Sequence, residues 1–159
     1  MKIIYPGTFD PITYGHIDLI KRASKVFKQV IVAVAESPNK ETLFSFSERI
    51  SLVKGSLRDI SNVEVEGFAG LVVEFAKQRK SRLILRGLRM VSDFEYEFQM
   101  ALTNRKIEKE VETVFLMPHP DFSYLSSRLI KEAFFLEADI SPFVPPLVRK
   151  ALESKKTKI

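Results

Sequence analysis

Thr8, Thr13, Gly15 and His16 fall within one stretch of sixteen residues, YPGTFDPITYGHIDLI, spanning 5–20. Lys2-Ile3-Ile4-Tyr5 reads as the end of a short strand, and Pro6-Gly7 breaks it as a tight turn would. From Gly15 the apolar spacing turns helical, with Ile17, Ile20, Ser24 and Phe27 along one side and an end near Lys28. Two hydroxyls and an imidazole therefore surround a helix N-terminus, where free N–H groups and a partial positive charge suit an anion. A histidine in a first turn runs against the helix dipole and asks for a reason. A nearby phosphate is one reason; a turn histidine capped by a carbonyl is the plain alternative. Thr8 and the T-x-G-H spacing of Thr13, Gly15 and His16 favour the phosphate.

Further strands and helices alternate along the chain. Val30–Ala35 is a continuous apolar run, as in a strand buried on both faces. Ser45 and Glu48 form a capping box for a helix to about Asp59. Val63–Glu66 is a short strand ended by Gly67, Leu71–Arg79 a short helix, and Arg82–Leu85 a fourth strand. Ser92 and Glu95 read as a second capping box, opening a helix with Phe94, Phe98, Ala101 and Leu102 along its packed side. Val111–Met117 is a fifth strand; helices follow from Ser126-Ser127 through Phe135 and from Pro146 to Glu153. This order predicts an α/β, Rossmann-like, doubly wound five-stranded parallel sheet with helices on both faces, as one domain over 1–153. Residues 154–159 are expected to be a frayed, lysine-rich tail.

Right-handed crossovers bring the strand-to-helix loops to one edge of such a sheet. That edge gathers Thr8 and His16, Lys40, the segment 67–71, Arg86 and Arg89, and Ser126 with Ser127. Basic groups and hydroxyls at helix N-termini suit a multiply charged anion such as a nucleoside triphosphate. Two have a plainer reading, Lys40 as a solvated loop residue and Ser126-Ser127 as an N-cap, while Arg86 directly follows an apolar strand, where an unpaired charge would be costly. Their joint placement carries the weight.

Composition narrows the classes. The 159 residues include no cysteine, so no disulfide or thiolate site exists, and a cytoplasmic location is expected. No signal peptide is read at the start, and no apolar run approaches the ~20 residues of a membrane span. The net charge of +5 owes three units to Lys155, Lys156 and Lys158, so neither nucleic acid nor membrane is expected as a partner. A dinucleotide fingerprint, a P-loop, a nucleophile elbow and a zinc-ligand pattern are all absent from the sequence.

With these residues in view, the sequence resembles the bacterial phosphopantetheine adenylyltransferases, in the nucleotidyltransferase superfamily that includes the class I aminoacyl-tRNA synthetases. T-x-G-H carries the superfamily; RGLR-x-x-x-D-F-E-Y-E, from Arg86 to Glu97, carries the narrower family. The resemblance implies transfer of the adenylyl group of ATP to 4′-phosphopantetheine, giving dephospho-coenzyme A and pyrophosphate. It implies catalytic roles for Thr8, His16, Lys40 and Arg89. It implies phosphopantetheine contacts at Thr8, Lys40, Val72 and Arg86. For ATP it implies Thr8, Phe9, His16, Gly87, Leu88, Arg89, Glu97 and the run Phe122, Ser123, Tyr124, Leu125, Ser126, Ser127 and Arg128. It further implies Mg2+ without protein ligands, feedback binding of coenzyme A and a homo-oligomer, a hexamer. Arg128 departs from the family, which carries a small hydroxyl residue there; either it reaches a nucleotide phosphate or it pairs with Glu132 on the surface. Lys131 matches the family's next basic residue. Rival readings are the same fold with another phosphorylated acceptor, such as nicotinate mononucleotide, and a non-catalytic nucleotide- or RNA-binding module.

Overall fold

A computed structural model describes residues 1–37 and 39–157. Five parallel strands lie in the order β3-β2-β1-β4-β5: β1 is Lys2–Gly7, β2 Gln29–Ala35, β3 Val63–Phe68, β4 Leu83–Gly87 and β5 Glu112–Leu116. Helices α1 (Tyr14–Val26), α2 (Phe46–Leu57), α3 (Val72–Gln78), α4 (Val91–Ile107), α5 (Ser127–Phe135) and α6 (Pro146–Lys156) connect or follow them. The sheet is the doubly wound one the sequence predicts. One face packs Ile3, Tyr5, Val30, Val32 and Leu85 with residues of α1, α2, α5 and α6. The other packs Ile4, Ile31, Ala33 and Ile84 on Val73, Phe75 and Ala76 of α3.

The chain order reverses direction at β1, whose first crossover leads to β2 and whose other neighbour is β4. Such a switch point opens a crevice beyond the carboxyl ends of the strands. β1 matches β2 in register from Lys2–Gln29 to Gly7–Val34, whereas β1 and β4 meet at Ile4–Ile84. β1 also runs through Pro6 and Gly7, two residues past the expected break. Pro6 is tolerated there because its carbonyl faces β4, accepting from Arg86 Nη1 at 3.1 Å. Its missing N–H faces the same way, where the two strands have parted and no ladder bond is lost.

Three expectations need correction. Ser92 and Glu95 do not cap α4, whose N-cap is Met90 and lacks a side-chain hydrogen bond. Asp93 supplies the local bond instead, accepting from the backbone N–H of Arg89 at 3.1 Å. The expected packed side of α4 is also reversed: Phe94, Phe98 and Leu102 are about half exposed, while Glu97 and Asn104 are the buried residues of the helix. The inner face of α4 lines a cavity: Glu97, Ala101 and Asn104 turn inward, while Phe94, Phe98 and Leu102 turn out. At the other end, α6 runs on to Lys156 rather than stopping at Glu153. Lys155 is anchored by Glu48 at 2.9 Å and lies over the Phe44 ring. Residues 158 and 159 of the expected tail lie outside the described residues.

Candidate active site

The crevice at the β1–β4 switch point opens into a cavity of about 500 Å³ that continues beneath α4. Thr8, Phe9 and His16 form one wall, and Lys40, Val72, Arg86, Gly87, Arg89, Glu97, Phe122 and Leu125 complete the predicted residues that line it.

Thr13 and His16 explain the start of α1. The Thr13 side chain accepts from the His16 backbone N–H at 3.4 Å, and His16 Nδ1 accepts from the Thr13 backbone N–H at 3.1 Å. This is a capping box with histidine where glutamate usually stands. With Nδ1 accepting, the proton of the neutral ring sits on Nε2. Burial, reinforced by Arg89 and then Arg86, holds the pKa of His16 down to about 4. The imidazole is therefore a neutral hydrogen-bond donor, which removes the conflict with the helix dipole. Phe9 stacks edge-on against it, ring centroids 5.1 Å apart. Phe9 is 2% exposed and holds a φ of 50°, a left-handed conformation unusual for a bulky residue. Gly7 makes room for that ring: a Cβ there would lie 2.8 Å from it.

Arg86 leaves the end of β4 and forms a fork with Glu97, Nε at 2.7 Å and Nη2 at 2.6 Å. Burial opposes its charge, but the bonds to Glu97 outweigh that and raise its pKa. Arg89 is held by Asp93 and by the Leu125 carbonyl, the latter at 2.8 Å. Lys40 is exposed at the mouth of the cavity. Val72, the first residue of α3, is half-buried in the lining.

Other predicted residues stand beside the cavity rather than in its lining. The Leu88 N–H donates to Leu116, tying the Arg86–Arg89 turn to β5. Ser123 donates to the Pro120 carbonyl, and the exposed Tyr124 ring meets Phe143 edge-on. Ser126 caps α5 by accepting from the Leu129 N–H, the plainer of its two readings. Ser127 donates to the Pro11 carbonyl at 2.7 Å, locking α5 to the turn after Thr8. Arg128 is 87% exposed in its side chain and pairs with Glu132 at 3.0 Å. Lys131 pairs with the buried carboxylate of Asp10.

The sequence reading passed over several lining residues. Asn104 is one: it stands seven residues after the predicted Glu97 and three after Ala101, a shared face that could have been read from that spacing. Tyr5 also lines the cavity; burial pushes its phenol up to about 12, against the pull of Arg86 and Arg89. Among the described residues no group of three or more carboxylate or histidine side chains is arranged to hold a metal.

Residues 4–133 match the cytidylyltransferase-like family, which makes the chain a nucleotidyltransferase, as its fold allows. The chain is 52% identical to the phosphopantetheine adenylyltransferase of Alkaliphilus metalliredigens over 98% of its length and 99% of that protein. It is 55% identical to the phosphopantetheine adenylyltransferase of Caldanaerobacter subterraneus over 96% of this chain and 95% of that one. The chain belongs to the phosphopantetheine adenylyltransferase family. In fold it resembles a Vibrio parahaemolyticus protein described provisionally as a nicotinate-nucleotide adenylyltransferase, with TM-score 0.73 and 19% identity over 96% of this chain and 91% of that one.

Proposed function

We propose that this enzyme transfers the adenylyl group of ATP to 4′-phosphopantetheine, releasing pyrophosphate and forming dephospho-coenzyme A. The observation that carries the reading is the cavity itself: Thr8 and His16 stand where it meets the helix N-terminus, and Lys40, Val72 and Arg86 lie along its course. The relatives above bear the name of this activity.

An oxygen of the acceptor phosphate attacks the α-phosphorus in line, and the bond to the β-phosphate bridging oxygen breaks. The attacking phosphate is already ionised, so no general base and no covalent enzyme intermediate are required. Catalysis then consists of placement and stabilisation of charge on the phosphoryl oxygens. His16 Nε2–H donates to the α- or β-phosphate, and Thr8 lies between the two substrates. Lys40 and Arg86 hold the acceptor phosphate, and Val72 packs on the pantetheine arm. Arg89, Gly87, Leu88, Glu97 and the segment from Phe122 frame the nucleotide. The two carboxylates that line the cavity, Asp93 and Glu97, are each committed to an arginine. Mg2+ therefore fits as a companion of the ATP phosphates, whose charge it offsets, with no ligand from the chain.

Coenzyme A carries both an adenylate and a pantetheine moiety, so it competes for the same cavity. The outward apolar side of α4, where the Phe94 and Phe98 rings stack at 5.5 Å, supports assembly with further copies, to a hexamer. A cytoplasmic location follows from the same reading, and no described helix is long and apolar enough to cross a membrane.

Pyrophosphate release from ATP in the presence of 4′-phosphopantetheine tests the proposal. Rapid release with that acceptor alone is expected. Release with nicotinate mononucleotide or a phosphorylated alcohol instead would move the enzyme to another acceptor, and no release with any would leave a binding module.

A further inference from the structure

Arg49 sits on the first turn of α2 and is 1% exposed, yet among the described residues it has no carboxylate in ion-pair contact. Its guanidinium is instead spread over four backbone carbonyls. Nη1 donates to Thr8 and to Ala35, both at 2.7 Å; Nη2 donates to Glu36 at 3.0 Å; Nε donates to Phe44 at 3.3 Å. Such a buried cation is tolerated only where its donors are satisfied.

The choice of carbonyls is informative. Thr8 belongs to the turn that carries the phosphate-facing hydroxyl. Ala35 and Glu36 open the loop that carries Lys40, and Phe44 closes it. Asp10 secures the closing end again, accepting from the Leu43 and Phe44 N–H groups at 2.9 Å each. Both ends of the Lys40 loop are thus fastened to the Thr8–Asp10 turn from the buried side. Arg49 is not part of the cavity lining, so it touches neither substrate directly.

We propose that Arg49 is a positioning residue for adenylyl transfer: its guanidinium fixes the Thr8 turn against both ends of the Lys40 loop and so sets the distance between nucleotide and attacking phosphate. This rests on the function proposed above. Lysine keeps the charge but loses the planar fork, so it cannot serve four carbonyls in these directions. A displacement of about 1 Å at reacting groups costs on the order of 100-fold in rate.

The test compares full-length Arg49→Lys and Arg49→Met with Leu57→Ala, a buried change on the same helix away from the cavity. Turnover and both KM values are measured by pyrophosphate release well below each melting point. Amide hydrogen exchange is followed in the unliganded protein. Arg49→Lys is expected to lower kcat roughly 10- to 100-fold and to speed exchange at residues 8–10 and 36–44, with α3 unchanged. Leu57→Ala is expected to melt earlier and keep its kcat. Wild-type kcat and exchange in Arg49→Lys would overturn the proposal, as would a turnover loss in Leu57→Ala that tracks its melting point as the Arg49 variants do. If Arg49→Met fails to fold, Arg49→Lys decides. If the wild type releases no pyrophosphate, the proposed reaction fails by itself. Exchange then decides alone: an increase confined to 8–10 and 36–44 upholds Arg49 as the fastener, and a uniform or absent change overturns it.

Discussion

His16 accepts the backbone N–H of Thr13 through Nδ1, at 3.1 Å, and so gives one ring nitrogen to the helix and leaves the other for the cavity. The ring has one duty in folding, and the proposed function gives it a second, in chemistry.

His16→Ala is expected to lower turnover roughly 10²–10³-fold, the size of one lost transition-state donor. It also removes the reciprocal half of the α1 capping box while leaving Thr13 as the N-cap, at a cost of at most about 1 kcal/mol, which corresponds to roughly 2–4 °C in melting temperature. Calorimetry and pyrophosphate release on one preparation separate the two. Undiminished turnover with a lowered melting point would leave His16 as a cap only.

The neutral state of His16 has a pH signature. Its folded pKa of about 4 lies below the unfolded value near ~6.5. Between those two values the unfolded chain binds the proton and the folded chain does not, so stability rises with pH across that window. The contribution is complete above about 6.5 and is lost as pH falls towards 4. In a His119→Asn background, NMR of the single remaining imidazole should give a midpoint near 4. A midpoint near the ordinary histidine value would contradict the buried, arginine-flanked geometry.

Arg86→Ala strands the Glu97 carboxylate, which is only 10% exposed in its side chain. The arginine itself is partly open to solvent, so the expected loss is about 2–3 kcal/mol, below the 3–5 kcal/mol of a fully buried pair. Removing both side chains should cost less than the sum of the single changes. Additive losses in denaturant titrations would show that the fork holds nothing.

Arg128→Ala and Arg128→Ser are expected to leave the KM for ATP unchanged, because the guanidinium points along the surface to Glu132. Stability should fall by no more than about 0.5 kcal/mol, the worth of such a helix pair. A raised KM with altered salt dependence would move Arg128 to a nucleotide phosphate.

Much of this arrangement was legible in the residues. The apolar run of β2, the Ser45–Glu48 box and the hydroxyl-histidine cluster each report local physics, and local physics decided them. Helix α4 was misread because apolar periodicity says which residues share a face, not whether that face meets a sheet or a solvent-filled space. Lys155 looked like part of a charged fringe, because nothing near it in sequence announces Glu48 and Phe44. Arg49 was invisible for the same reason: an arginine in a helix reads as surface, and its four carbonyls come from three separate segments.

Arg86 and Arg89 enter the site with their charges already cancelled, by Glu97 and Asp93. These two guanidiniums therefore project little field into solvent, and an approaching polyanion first meets Lys40, exposed at the cavity mouth. Affinity at the two arginines arises on contact, where a phosphate meets a guanidinium already oriented by its carboxylate. Such a site answers to the shape and bidentate fit of its guest, and is indifferent to anions that bring charge alone.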